Sequence, residues 1–241
     1  MTTILVPFHQ DEPLDLTSLP VPADDVIALA PALPEGDIWT RLTALYEPVV
    51  TAVANNIGAT VVSGDCLVSS AVVAGVQRAG IDPSIVWFDA HGDVHTLSSS
   101  TSGYLGGLSL RLLFGEHREL LADRIGLRPI AESAALLVDA RDLDPAETEY
   151  LAASKVRRTT VRDLDHLPSG PLILHVDLDV IDSAELGRLR FPVAAGPSIE
   201  DVVAAVRHIR TNHEVVAFDL ACTWYPGTED RTDLMTALIT K

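Results

Sequence analysis

The sequence is poor in cysteine, in aromatic residues and in basic residues, and it has no long hydrophobic run. Two cysteines among 241 residues, Cys66 and Cys222, are too few for a disulfide scaffold, so reduced thiols are expected. No apolar stretch approaches the roughly 20 residues that a membrane-spanning helix needs. The first residues carry no basic segment ahead of a hydrophobic one, which predicts no secretory leader and a cytoplasmic location.

Acidic residues outnumber basic ones two to one. The chain has 34 Asp and Glu against 17 Lys and Arg, and its formal net charge is −17. A field of that sign repels phosphate backbones and anionic lipid, so neither nucleic acid nor a membrane surface is an expected partner. It favours a small cationic molecule or a divalent metal ion. The hydrophobic content of 47% allows a large core and excludes disorder over most of the chain.

Short apolar, β-branched segments alternate with amphipathic ones along almost the whole chain. The segments that predict strands are 4–7, 59–63, 84–89, 135–139, 157–161, 172–177 and 214–219. The segments that predict helices are 39–56, 67–79, 105–114, 146–154, 199–210 and 232–240. Several strand segments are apolar throughout, which is typical of parallel strands covered on both faces. The alternation predicts one three-layer α/β domain over residues 1–241, with a surface loop at 13–36.

Acids, histidines and a cysteine cluster where three of the predicted strands end. The potential ligands are Asp65, Cys66, Asp89, His91, Asp93, His95, Asp177, Asp179 and Asp182. Because the carboxyl ends of parallel strands open onto one crevice, these side chains are expected to meet there. About four like charges in so small a space would keep some carboxyls protonated unless cations neutralised them. An aspartate after a strand is more often a turn residue than a ligand, and Asp182 is assigned to such a turn.

The chemistry of these residues predicts a metal centre. Carboxylates together with a neutral imidazole suit Mn²⁺ and similar ions. Two ions about 3.5–4 Å apart, bridged by shared carboxylates, would produce a nucleophilic hydroxide near neutral pH.

Several segments resemble signatures of the arginase–agmatinase–formiminoglutamase family of ureohydrolases. They are WFDAHGD at 87–93, VDLDVID at 176–182, and SGDC at 63–66, where the family has Gly-Gly-Asp-His. VVAFD at 215–219 is similar to the last strand before the family's Glu-x-Asn-Pro segment. The resemblance implies a doubly wound, mostly parallel sheet of about eight strands. It also implies a binuclear manganese site and a homo-oligomer.

The resemblance assigns a role to each matching residue. It implies a two-ion site whose ligands are Cys66, Asp89, His91, Asp93, Asp177 and Asp179. In that arrangement Asp89 and Asp177 bridge the ions, Cys66 and Asp93 complete one ion, and the remaining two ligands complete the other. Asp93 is also placed to accept a hydrogen bond from the bridging hydroxide and to aim it at a guanidinium or amidine carbon.

The predicted substrate contacts lie in three further segments. ARDLDPAE at 140–147 is similar to the family segment that holds a substrate amino group, which implicates Asp144 and Glu147. Acids in the first turn of a helix are also stabilised by the helix dipole without any ligand, and that alternative stays open. Ser102, within 101–107, and Cys222, within 219–226, are the other predicted contacts. Residues 7–12, after the first strand, are expected at the same rim, where they either add substrate contacts or, as the preferred alternative, form a solvated loop.

The sequence departs from the family pattern at four positions of this site. Cys66 stands where most members have His, and a thiolate favours Zn²⁺ or Fe²⁺; a buried cysteine without metal contact is the alternative. Gly106 stands where arginases carry a proton-shuttling His. Cys222 falls where a Glu grips the guanidinium. His95 stands where arginases have Asn and is predicted to take over proton transfer, with a solvated side chain as the alternative.

The residues and the resemblance together predict a metal-dependent hydrolase of a non-peptide C–N bond in a guanidino, amidino or formimino compound other than ordinary arginine. Mn²⁺ is the expected metal, with Zn²⁺ or Fe²⁺ allowed by Cys66. Two alternatives stay open: a metal-binding sensor or partner subunit without turnover, and a single-metal hydrolase resembling deacetylases. Since both cysteines map to the site, Cys66 and Cys222 are predicted to share a soft metal or to form a redox-sensitive pair.

Overall fold

The computed structural model describes residues 2–22, 25–225, 227 and 230–240. Within them the strands are β1 Thr3–Val6, β2 Phe8–His9, β3 Glu12–Pro13, β4 Val26–Ala28, β5 Thr60–Ser63, β6 Ser84–Asp89, β7 Ala135–Asp139, β8 Arg157–Thr159, β9 Leu172–Asp177 and β10 Val215–Ala221. The α-helices are α1 Ile38–Asn55, α2 Ser69–Arg78, α3 Ser109–Leu113, α4 Ala122–Ile125, α5 Pro145–Ala153, α6 Ile199–Asn212 and α7 Thr232–Ile239.

One eight-stranded sheet forms the centre of the structure. Its order is β4-β1-β5-β10-β9-β6-β7-β8, and every neighbouring pair in it is parallel. β2 and β3 form a separate antiparallel hairpin. The carboxyl ends of β5, β10, β9 and β6 therefore lie side by side at one edge of the sheet, where open α/β folds bind ligands. This topology confirms the predicted doubly wound, parallel α/β fold.

Helices cover both faces of the sheet because its central strands are apolar on both sides. One buried cluster includes residues of α1 to α4, and the other includes residues of α6 and α7. Neighbouring residues of one strand enter opposite clusters, as Ile173 and Leu174 of β9 do. None of the described helices is long and apolar enough to cross a bilayer.

Two local expectations are corrected by the structure. Residues 13–36 were predicted as a loop, but they contain β4, which pairs with β1 and is an outermost strand of the sheet. Its three residues are exposed or partly exposed, so they lack the hydrophobic run that marks a buried strand. The predicted helix at 105–114 is a 3-10 turn, Gly106–Leu108, followed by the short α3, and α4 had no predicted counterpart.

Gly75 allows α1 and α2 to pack closely. A Cβ at this position would lie 2.6 Å from Val53 Cβ and 2.8 Å from the carbonyl oxygen of Val50. Gly75→Ala is expected to lower the free energy of unfolding by about 1–3 kcal/mol, because a helix backbone cannot move aside as a flexible side chain can. Urea denaturation measures the loss. Gly107→Ala, whose Cβ would meet only His95 at 3.6 Å, is the control, and equal losses in the two variants would contradict the explanation.

Candidate metal and substrate site

Neighbouring strands deliver acidic side chains to one edge of the sheet. β6 ends at Asp89 and β9 ends at Asp177. Asp177 accepts a hydrogen bond from the backbone N–H of Asp179 at 2.8 Å, which starts a tight turn and brings Asp179 to the same edge. After β5, Asp65 caps a similar turn that begins at Cys66. All five of these side chains are buried.

Two groups of ligand atoms lie close enough together to hold a metal ion, and they share one residue. In each group the atoms lie within 4.8 Å of one another. The first group is Cys66, Asp89 and Asp177, and the second is Asp89, His91 and Asp179. His91 Nδ1 lies 3.3 Å from Asp89 Oδ1 and 3.1 Å from Asp179 Oδ2, and the Cys66 thiol donates to Asp177 Oδ2 at 2.9 Å. A carboxylate common to both groups is what two adjacent ions require.

Asp93, a predicted ligand, belongs to neither of these two groups, but its carboxylate has an unpaired oxygen near them. Its φ of 53° lies in the left-handed region, which costs a non-glycine residue about 1–2 kcal/mol. Its Oδ2 atom is buried and has no hydrogen-bond partner among the described residues. Burying a carboxylate oxygen unpaired is costly, so this atom fits the role of a metal ligand or of an acceptor for a bound molecule.

Burial and mutual repulsion control the protonation of the cluster. Burial, followed by the charges of Asp179 and Asp89, raises the pKa of Asp177 well above its usual value. Burial and then the Asp89 charge raise the pKa of Asp93 strongly and that of Asp179 to about 6. Burial disfavours the charged form of His91, but hydrogen bonds and charges from Asp179 and Asp89 outweigh it and raise the His91 pKa to about 12. A proton on His91 thus balances part of the negative charge of the carboxylates, which divalent ions would otherwise neutralise.

A cavity of about 210 Å³ opens onto the acidic cluster. The carboxylates that line it are Asp93, Asp142, Asp144, Glu147, Asp177 and Asp179. Its described lining contains two histidines and two aromatic rings, Tyr104 and Phe191, but no lysine or arginine. Such a lining attracts a cation and repels an anion.

Asp144 and Glu147 both line the cavity, yet they differ in what they contact. Glu147 accepts hydrogen bonds from the backbone N–H groups of Asp144 at 3.1 Å and Val94 at 3.3 Å, and its side chain is 4% exposed. The Asp144 side chain is 55% exposed at the rim. Glu147 therefore caps the start of α5, and Asp144 is the more exposed acid of the two.

His95 and Ser102 lie at the cavity wall. His95 Nε2 is 3.1 Å from Asp144 Oδ2, and its Nδ1 is 3.0 Å from Ser99 Oγ, so both ring nitrogens are engaged. Ser102 is exposed and accepts a hydrogen bond from the backbone N–H of Tyr104 at 3.2 Å. Both predicted residues thus line the cavity.

The position of Cys222 differs from both expectations for it. Its side chain is 1% exposed, does not line the cavity, and contacts Met235 Sδ at 3.9 Å. Cys222 and Cys66 belong to the apolar clusters on opposite faces of the sheet. Cys222 is therefore not a substrate contact, and the two thiols form neither a shared metal site nor a redox pair. The next residue, Thr223, reaches the site and donates its hydroxyl to Asp177 Oδ1 at 2.6 Å.

A buried polar network below the site holds Asp89 in place. The indole of Trp87 donates to Asp89 Oδ2 at 3.0 Å and stacks on His175 with ring centroids 3.6 Å apart. His175 Nδ1 in turn lies 2.8 Å from Asp219 Oδ2. Sequence reasoning missed this network, as it missed Thr223, although a histidine inside an apolar strand was a visible signal.

A profile of the Arginase family matches residues 8–240. Arginase of Bacillus subtilis (strain 168) is 28% identical over 156 residues, which cover 58% of this chain and 53% of that protein. Arginase of Staphylococcus aureus (strain COL) is 26% identical over 193 residues, covering 73% and 63% respectively. The matched part of the chain thus spans between about half and two thirds of these relatives. The crystal structure of arginase from Bacillus cereus has a TM-score of 0.81 at 20% identity, covering 100% of this chain and 98% of that one.

Proposed function

The chain belongs to the arginase family, and on that premise we propose that it is a metal-dependent hydrolase of a guanidino, amidino or formimino compound. The observation that carries this proposal is the pair of ligand groups that share Asp89 and open into a cavity lined by six carboxylates. A cationic amidine fits the charge of that cavity, and a site for two ions fits the hydrolysis of its unreactive carbon.

The residues at the sheet edge fit two divalent ions. Cys66, Asp89, Asp93 and Asp177 would hold one ion, and Asp89, His91 and Asp179 would hold the other. Bound there, the ions would supply Lewis acidity that makes water more acidic and offsets developing negative charge. We propose Mn²⁺, because oxygen and imidazole ligands predominate, while the Cys66 thiolate makes Zn²⁺ or Fe²⁺ the alternatives. A cytoplasmic location remains a prediction from the sequence, and a homo-oligomer remains a prediction from the resemblance.

The chain's own groups would bind the substrate and manage its protons. Asp144, exposed at the rim, would hold an amino group of the substrate. The unpaired Oδ2 of Asp93 would accept the hydrogen bond that orients the attacking water. As the C–N bond breaks, the departing nitrogen needs a proton. The contact of His95 Nε2 with Asp144 Oδ2 at 3.1 Å offers a path for that proton between rim and cavity.

Ordinary arginine is not the proposed substrate. The position where the family's glutamate would grip a guanidinium is occupied by Cys222, which is turned into the core, and its neighbour Thr223 contributes only a hydroxyl. A smaller or less basic amidine needs less negative charge at the position of Cys222.

Hydrolysis at a single ion is the second candidate function. The group Asp89, His91 and Asp179 is complete without Cys66, and its two carboxylates and one imidazole are a ligand set that a single Zn²⁺ accepts. The metal stoichiometry distinguishes this candidate from the first.

Metal analysis followed by a substrate screen tests the proposal. Protein purified without chelator or polyhistidine tag is expected to carry close to two equivalents of divalent metal per chain. It is then expected to release urea or ammonia from at least one compound in a panel of guanidino, amidino and formimino compounds. About one equivalent of zinc with deacetylating activity would support the second candidate. A chain that cannot be loaded with metal would contradict both.

A further inference from the structure

The ring of Tyr104 occupies space that residue 106 leaves open. Gly106 has no side chain, and a Cβ built on it would lie 2.6 Å from Tyr104 Cζ and 2.8 Å from the Tyr104 hydroxyl oxygen. The hydroxyl end of the ring is therefore the part that lies against Gly106. Both residues line the cavity, so the phenol lies at the wall of the substrate space.

Two further rings hold Tyr104 in this position. His9 stacks nearly parallel to it, with centroids 5.6 Å apart and an interplanar angle of 14°. Phe191 lies 4.6 Å away at 40° on the cavity side. His9 is itself anchored, because its Nδ1 lies 3.0 Å from the carbonyl oxygen of Gly64 at the sheet edge. Contacts from two distant segments thus fix the ring, which limits the entropy lost when it binds a ligand.

The hydroxyl of Tyr104 is available to a ligand. Within the described part of the chain it makes no hydrogen bond, although the Tyr104 backbone N–H does. Burial, followed by the charges of Asp65 and Cys66, raises the pKa of Tyr104 well above its usual value, so the phenol stays protonated at neutral pH. A neutral phenol both accepts and donates a hydrogen bond, whereas the carboxylates around it only accept.

We propose that Tyr104 is a substrate-contacting residue whose hydroxyl accepts a hydrogen bond from an N–H group of the bound amidine and donates one to an acceptor within the site. The chemical class of the ligand rests on the proposed function. The position of the hydroxyl rests on Gly106 and the stacked rings alone.

Binding of an amidine to the metal-loaded protein tests this inference without turnover. Calorimetric titration with agmatine and with guanidinium compares wild type with three site variants: Tyr104→Phe, Gly106→Ala and the double variant. Tyr104→Phe keeps the ring and is expected to bind roughly 3–10-fold more weakly, the usual effect of one lost hydrogen bond. Gly106→Ala is expected to weaken binding similarly, because its Cβ displaces the ring.

The double variant separates a shared effect from two independent ones. Both substitutions remove the same hydroxyl contact. The affinity of the double variant is therefore expected to be no lower than that of the single variant with the lower affinity. Tyr150→Phe is the matched control, because the Tyr150 hydroxyl bonds to Glu132 and does not line the cavity. Metal content is measured in every variant and is expected to remain unchanged.

Each outcome decides the inference. Equal affinity of wild type and Tyr104→Phe overturns it, and so does a loss of binding that follows a loss of metal. Weaker binding in Tyr104→Phe, with no hydrolysis by wild type, supports the inference while the proposed function fails. Hydrolysis by wild type with unchanged binding in Tyr104→Phe supports the proposed function and overturns the inference. No binding of either cation to wild type overturns the inference, whatever the substrate screen shows.

Discussion

Asp89→Ala is expected to lose most of its bound metal and at least about a thousandfold of its hydrolytic activity. Asp89 is the residue that both ligand groups share, so its removal takes an oxygen from each ion at once. Several kcal/mol of charge stabilisation depend on bound ions, and each 1.36 kcal/mol is a factor of ten in rate. Metal per chain after dialysis, followed by initial rates on the substrate found in the screen, measures both losses.

Asp182→Ala is the matched control for this experiment. Asp182 follows β9 and belongs to the same sequence motif as Asp177 and Asp179, but its Oδ1 accepts a hydrogen bond from the backbone N–H of Ala184 at 2.8 Å in a turn. This variant is expected to keep its metal, whereas Asp177→Ala is expected to lose it as Asp89→Ala does. If all three variants retained two equivalents, the site would be wrongly placed.

The metal-free protein is expected to lose stability as the pH rises from about 4 to 8, and bound metal is expected to abolish that loss. The folded-state pKa values of Asp93, Asp177 and Asp179 lie above their usual value of 3.8. Their stabilising contribution is therefore complete below that value and disappears as the pH rises through the folded-state pKa. For Asp179, whose pKa is about 6, the loss is on the order of 3 kcal/mol.

His91 acts in the same direction at higher pH. Its folded-state pKa of about 12 lies above the usual 6.5, so the stability that its proton contributes decreases progressively above pH 6.5. Although burial opposes ionisation of Asp89, hydrogen bonds and charge from His91 lower its pKa, so its contribution changes only below about pH 4. None of these groups therefore offsets the decline in the stability of the metal-free protein between pH 4 and 8.

Thermal unfolding of chelator-treated and Mn²⁺-loaded protein across this pH range measures the effect. The melting temperature of the metal-free form should fall with pH, while that of the loaded form should stay nearly level. Binding must also displace the proton from His91, so titration with metal in buffers of different ionisation enthalpy should show proton release. A melting temperature of the metal-free form that is level or rises with pH would contradict the assigned pKa shifts.

Local sequence was sufficient to predict most of the fold and the residues that meet at the candidate metal site. The segments 84–89 and 172–177 were predicted with the bounds that β6 and β9 have, because an uninterrupted apolar run between polar residues marks a buried parallel strand. The acids that follow these strands had to meet at one edge, since parallel strands share a direction. Asp89, His91, Asp177 and Asp179 needed no more information than this.

The positions of Cys222, Glu147 and Tyr104 depend on contacts between distant segments, so only the tertiary structure shows them. Cys222 was misplaced because a shift of one residue along a strand changes the face of the sheet, and only the pairing of β10 with its neighbours sets that register. Glu147 is buried because the backbone of Val94 folds over it. Tyr104 lies in the cavity because Gly106 leaves room and because His9 and Phe191, from opposite ends of the chain, hold its ring.

Sequence alone thus determined the residues that meet at the sheet edge, because strand direction and hydrophobic periodicity are local properties. The tertiary structure determined which of them line the cavity and how burial shifts their protonation. Burial, register and ring packing arise only when segments far apart in the chain come into contact, and no local pattern of residues encodes them.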